Sequence, residues 1–208
     1  MRGTLKHSPP TGYFSKLILS ISFVLIFLLL SSCLSSEQKT DRSSPTRQTY
    51  QAVVLKVSDG DTVWVRIDDK EVKLRLLGID TPEKFESKKL YREASECGVS
   101  AEYMKSLGKM ATSHARKYLH KGDQVKVIVY GHGYYGRALA FIILSNGTNY
   151  NEQMVADGYA CVYKYRGRKS KELPWEEWRK LNKLLERAKE EKIGLWRKDY
   201  KVMECLCK

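Results

Sequence analysis

Five short strands closed into a barrel, with about three helices packed against it, is the α+β architecture predicted by this 208-residue sequence. Three observations lead there. Five runs rich in β-branched residues are separated by turn chemistry, one long helical pattern falls between the third and fourth runs, and two more helical patterns follow the fifth. That order fits a small Greek-key barrel of the OB type.

The first three strands are read at residues 52–57 (AVVLKV), 62–67 (TVWVRI) and 72–79 (VKLRLLGI). Ser58-Asp59-Gly60-Asp61 and Asp68-Asp69-Lys70-Glu71 separate them as hairpin turns. The fourth and fifth, QVKVIVY (124–130) and RALAFIIL (137–144), are joined by the glycine-rich GHGYYG. The long helix is expected over residues 100–119, with Tyr103, Leu107, Met110, Ala111 and Ala115 near one face and Lys121-Gly122 ending it. A short helix is expected around residues 151–157, stopped by Gly158. The last begins at Pro174 and ends at Gly194, and Trp178, Leu181, Leu185 and Ala188 form its core-facing stripe.

The ends of the chain read differently. A basic lead and a mostly apolar run at residues 17–30 match a secretory signal peptide, and the run is short for a membrane span of about 20 residues. Leu30-Ser31-Ser32-Cys33 resembles the bacterial lipobox, which makes Cys33 the expected lipidation site; an uncleaved signal anchor is the alternative. Residues 1–32 are thus read as a lipoprotein-type signal peptide and 33–50 as lipidated cysteine and flexible linker. Residues 51–198 form the folded domain and 199–208 a cysteine-containing tail. The expected location is exported, on the membrane of a bacterial cell envelope, held by acyl chains. Cys97, Cys161, Cys205 and Cys207 allow three complete pairings in an oxidising compartment, with Cys205 and Cys207 more suited to other partners than to each other. Without paired Cys-x-x-Cys spacing, a cysteine metal site is disfavoured. The net charge is +13, and the three basic residues of the first 32 positions lower it only to +10 for the rest, which favours a polyanionic partner.

Against that basic background, carboxylates gather. The ordered motifs DGDTVWV, KLRLLGIDTPE, YGRALA, NEQMVADGYA and GLW span most of residues 52–196 and resemble the staphylococcal nuclease-like family of thermonucleases. The resemblance implies a calcium-dependent endonuclease that hydrolyses DNA and RNA with little sequence preference, leaving 3′-phosphate ends. Such chemistry needs a hard cation, positive side chains on the phosphoryl oxygens and a carboxylate for the attacking water. Position by position, the resemblance assigns Asp61, Asp80 and the Thr81 carbonyl to calcium, a metal that takes oxygen ligands. It assigns Glu83 to the water and Arg75 and Arg137 to the phosphate, with Asp59 supporting the site from behind. Tyr135, Tyr163 and Tyr165 are candidates to pack against a nucleotide, an arrangement suited to single-stranded or frayed substrate. A monomer is expected.

Each residue also has a bland reading. Asp59-Gly60 makes a turn, Asp80-Thr81-Pro82-Glu83 looks like a helix start, and Arg75 is an ordinary strand arginine. The joint occurrence of all five charged positions is what favours chemistry. The acid and basic residue that the family carries before Tyr-Gly-Arg are replaced by Gly133 and Tyr134. Lys84, Lys88, Lys89 and Arg92, in a segment read as a loop, either meet a nucleic-acid backbone or form a solvated charge run. No histidine shows metal-ligand spacing. The rivals are a non-catalytic nucleic-acid-binding OB-fold lipoprotein and a structural envelope lipoprotein using its basic face on anionic lipid.

Overall fold

A computed structural model describes residues 47–133, 136–163 and 173–208. The elements run β1 (Gln48–Asp59), β2 (Thr62–Ile67), β3 (Lys70–Leu76), β4 (Ile79–Asp80), α1 (Lys88–Glu96) and α2 (Ala101–Ala115). They continue with β5 (Gln124–His132), β6 (Ala138–Ile143), α3 (Tyr150–Ala156), β7 (Cys161–Val162), α4 (Trp175–Glu190), α5 (Leu195–Lys198) and α6 (Tyr200–Leu206).

The expected barrel is present. Strands β1-β2-β3-β6-β5 close on themselves, all neighbours antiparallel except β3 and β6, which run parallel. Closure leaves no open sheet edge. Val54, Val63, Val65, Leu74, Val127, Ala140 and Ile142 are fully buried, as alternation along half-buried strands requires. Register shifts in β1 opposite β2 fall between Val54 and Lys56 and between Val57 and Asp59. The second lies beside Asp59, and such irregularities re-aim the side chains next to them.

Several boundaries differ from the sequence reading, each for a tertiary reason. Gln48, Thr49 and Tyr50, placed in the linker, pair with Val129, Ile128 and Val127 of β5. The third expected strand breaks at Leu77-Gly78: Leu77 N–H donates to Ala140 O, and Ile79–Asp80 leave the barrel to pair with β7. The long loop after Glu83 contains α1, capped by the Ser87 hydroxyl accepting from Leu90 N–H, with Leu90 and Ala94 buried. α2 stops at Ala115, before Lys121-Gly122. On α4, Leu181, Leu185 and Ala188 are buried as expected, but the helix ends at Glu190 and Gly194 opens α5 instead. A Cβ on Gly194 would meet Asp157 O at 2.1 Å, and one on Gly158 would meet Ile193 O at 2.2 Å, so both glycines permit one close backbone approach.

The last ten residues are not a loose tail. Asp199 caps α6, whose Val202 and Met203 are buried, and two disulfides, Cys97–Cys205 and Cys161–Cys207, tie it to the body. Of the three pairings open to the four cysteines, the structure selects this one. It ties α6 to the end of α1 and to β7.

Candidate functional site

The pairings that close the barrel also assemble its charged mouth. Thr62 pairs with Arg75 across β2 and β3, which sets Asp61 beside the arginine; Leu76 N–H donates to Asp61 O at 2.8 Å. Asp80 arrives separately, on β4 opposite Cys161 of β7. The two aspartates therefore do not sit on neighbouring barrel strands. Their common link is Arg75, whose two terminal nitrogens lie 2.7 Å from Asp61 Oδ2 and 2.7 Å from Asp80 Oδ1. A planar guanidinium held by two carboxylates makes both face one point.

Asp61 is the most constrained group. It is 6% exposed and accepts from Thr81 N–H at 2.9 Å, the Thr81 hydroxyl at 3.3 Å and the Thr62 hydroxyl at 3.1 Å. Burial pushes its carboxyl up, but the Arg75 and Lys89 cations outweigh burial and hold it well below the ordinary carboxylate range. Asp59 stands behind, its Oδ1 accepting from Asp61 N–H at 3.2 Å. Burial, and then the Asp61 charge, push Asp59 up to about 7.

Glu83 is held on its own loop: its Oε1 accepts from Lys84 N–H at 3.0 Å and Phe85 N–H at 3.2 Å. That loop lies directly on α2. A Cβ on Gly108 would meet Pro82 O at 2.6 Å and Glu83 backbone atoms at 2.8 Å, so the helix needs glycine there to let the Glu83 segment approach. Arg137 immediately precedes Ala138, which pairs with Leu74, while Leu139 pairs with Arg75. Arg137 thus stands at the start of β6, next to the strand that carries Arg75. Tyr163 follows β7, donates its N–H to Gly78 O at 2.9 Å, and places its ring centroid 6.0 Å from Arg75 Cζ. Tyr135, Tyr165 and Cys33 lie outside the described residues.

Two further residues reach the site, one left open between two readings in the sequence and one not singled out there. Lys89 is half-buried and paired: its Nζ lies 3.0 Å from Asp80 Oδ1 and 3.4 Å from Glu93 Oε1, and these anions keep it protonated against burial. Burial pushes Glu93 up to about 7, and its Oε2 has no hydrogen-bond partner among the described residues. The signal was there in Ser87 followed by Leu90 and Ala94, a cap and an i, i+4 apolar pair that put Lys89 and Glu93 on one face. Asn151, inside one of the recognised motifs, is a third hidden contributor. Fully buried, it donates to Leu77 O and Ala140 O and accepts from Ile142 N–H, joining α3 to β3 and β6.

Among the described residues, no group of three or more His, Cys, Asp or Glu side chains is arranged to hold a metal. The donors that do converge are two carboxylates that already share a cation. An all-oxygen pair of this kind fits a hard divalent ion that completes its shell with backbone carbonyls and water.

The family model for staphylococcal nuclease homologues matches residues 73–198. An uncharacterized protein of Methanocaldococcus jannaschii is 35% identical over 162 residues, covering 73% of each chain. An uncharacterized endonuclease of Escherichia coli O157:H7 is 32% identical over 143 residues, covering 69% of this chain and 74% of its own. Endonuclease YhcR of Bacillus subtilis is 27% identical over 163 residues, which are 74% of this chain but 12% of that protein. Since the family match takes in more than half of the sequence, and a relative 35% identical is covered over 73% of its length, the chain belongs to the staphylococcal nuclease family.

Proposed function

We propose that the protein is a calcium-dependent phosphodiesterase that hydrolyses DNA and RNA by water attack on phosphorus, leaving 3′-phosphate ends. Kinship with endonucleases supports nuclease activity in general and the handling of nucleic acid. The observation that carries the finer reading is the Arg75 bridge between Asp61 and Asp80. It gathers two metal-type carboxylates and one phosphate-type cation at a single point.

In this reading Asp61, Asp80 and the Thr81 carbonyl hold calcium, and Asp59 steadies Asp61 through its backbone N–H. Calcium would supply charge neutralisation at the phosphoryl oxygens. Arg75 and Arg137 pair with the equatorial oxygens as negative charge builds on them. Glu83 orients the attacking water and accepts its proton. Tyr163, with Tyr135 and Tyr165, packs against the nucleotide, and a basic surface draws in single-stranded or frayed substrate.

The same proposal places the protein outside the cytoplasm, held to a membrane through lipid on Cys33 and working as a monomer. The two disulfides support an oxidising compartment. Among the described residues no helix is long and apolar enough to cross a membrane.

A non-catalytic nucleic-acid-binding module is the second reading, favoured by the engagement of Glu83 with its own loop amides. The test offers single-stranded DNA and RNA to the full-length chain in detergent, with calcium or with chelator. Calcium-dependent cleavage to 3′-phosphate ends is the expected result. Binding without cleavage in calcium would give the second reading the site.

A further inference from the structure

We propose that Lys89, steered by Glu93, is the site's own competitor for the divalent cation and sets how much calcium the protein needs. The inference rests on the calcium reading above and concerns two residues of α1 that lie outside the matched catalytic set.

The ammonium of Lys89 lies between two carboxylates, 3.0 Å from Asp80 Oδ1 and 3.4 Å from Glu93 Oε1. An i, i+4 pair of this kind is ordinarily a solvated ornament. Here the Glu93 side chain is 12% exposed, and its second oxygen is buried without a hydrogen-bond partner among the described residues. Burying a carboxylate oxygen unanswered is unfavourable, and such an atom calls for an occupant. Lys89 is the cation already paired with Glu93, with three N–H bonds on a rotatable stem.

The lysine therefore has two stations. On Asp80, it holds the oxygen that a metal would take, and its charge opposes a dication nearby. Drawn fully onto Glu93, it withdraws one of the two cations on that oxygen, the other being Arg75 at 2.7 Å, and the orphaned Oε2 gains a donor. The helix that carries the pair ends at Cys97, tied to Cys205. The exchange is thus a side-chain rotation on an anchored helix.

Calorimetric titration of calcium into the full-length, oxidised chain in detergent, without nucleic acid, measures the affinity directly. Lys89→Met is expected to tighten calcium by about tenfold, and Lys89→Gln likewise. Glu93→Gln is expected to weaken it by about threefold to tenfold, and to have little further effect in the Lys89→Met background, as for two residues acting through one contact. A purely structural pair would weaken calcium in every variant, so unchanged or weaker binding in both folded Lys89 variants overturns the proposal. A Glu93→Gln effect of full size in the Lys89→Met background overturns the steering role. Folded wild-type protein that takes up no calcium overturns the calcium reading and this inference together, a result distinct from calcium binding indifferent to Lys89.

Discussion

Two polar networks lie close together on the barrel and follow opposite rules. Around Asn151 each group is answered: both amide hydrogens and the carbonyl oxygen find backbone partners, and next to it the Tyr150 hydroxyl donates to Gly60 O at 3.0 Å. Around Asp61 the partners are shared. Arg75 serves two aspartates, Lys89 serves Asp80 and Glu93, Asp59 is pushed toward neutrality, and a Glu93 oxygen is left over. A satisfied network specifies one structure and has nothing further to give. One with more claims than partners keeps interactions in reserve for something that arrives, at some loss of stability.

That contrast breaks first, and most visibly, at Glu83. Glutamine retains an oxygen to accept from Lys84 and Phe85 N–H but cannot take a proton from water. Glu83→Gln should lower the cleavage rate by about a thousandfold while the melting temperature moves by less than about 2 °C. Initial rates and thermal melts on one preparation decide it; near-normal turnover would remove Glu83 from the chemistry. Next in size is the disulfide that ties α6 to the end of α1. The Cys97–Cys205 bond spans 108 residues, so replacing both cysteines by serine should remove about 3 to 4 kcal/mol, read from denaturant unfolding. No loss would mean that the Cys161–Cys207 bond and the buried Val202 and Met203 suffice to dock α6.

Asn151→Leu tests the other side of the comparison. It takes Asn151 away from the Ile142 N–H and the Leu77 carbonyl and leaves Ala140 O with its Leu77 N–H donor, and should lose about 3 kcal/mol, or roughly 6 to 10 °C in melting temperature. The cleavage rate per folded molecule should stay within about twofold. A rate collapse in fully folded protein would show that the quiet network also positions the mouth.

The smallest effect belongs to Asp157, which closes α3 against α2. It accepts from the Tyr118 hydroxyl at 2.6 Å and Gln153 Nε2 at 2.8 Å, and pairs with His114 Nε2 at 2.6 Å. Burial raises its carboxyl, yet the His114, Tyr118 and Gln153 contacts together hold it below the ordinary value. Its contribution is therefore complete above about pH 4 and is lost as pH falls through the depressed folded value. The melting-temperature advantage of wild type over Asp157→Asn should be about 1 to 2 °C at neutral pH and shrink in acid. An advantage that grew on acidification would reverse the assignment.

Much of this was legible beforehand, and for a local reason. Thr62–Ile67 and the core stripe Leu181, Leu185 and Ala188 fall where alternation and helical spacing put them, because periodicity is written within each segment. What was missed also has a local explanation. The charges of Lys88, Lys89, Arg92 and Glu93 hid a helix whose apolar contribution is only Leu90 and Ala94, and the tail's Val202 and Met203 gave too short a pattern to read.

The strands of the barrel, its main helices and the kinds of charge that the site would need thus follow from the order of residues alone, since backbone period and side-chain chemistry are properties of short stretches. Partnership is not. That Asp80 reaches Arg75 from a strand outside the barrel, that Lys89 reaches Asp80, and that Cys97 meets Cys205 depend on where folding sets each segment, whether the two halves are 5, 9 or 108 residues apart. Only the packed chain sets those positions, because a salt bridge or disulfide forms wherever folding has brought its two halves within reach.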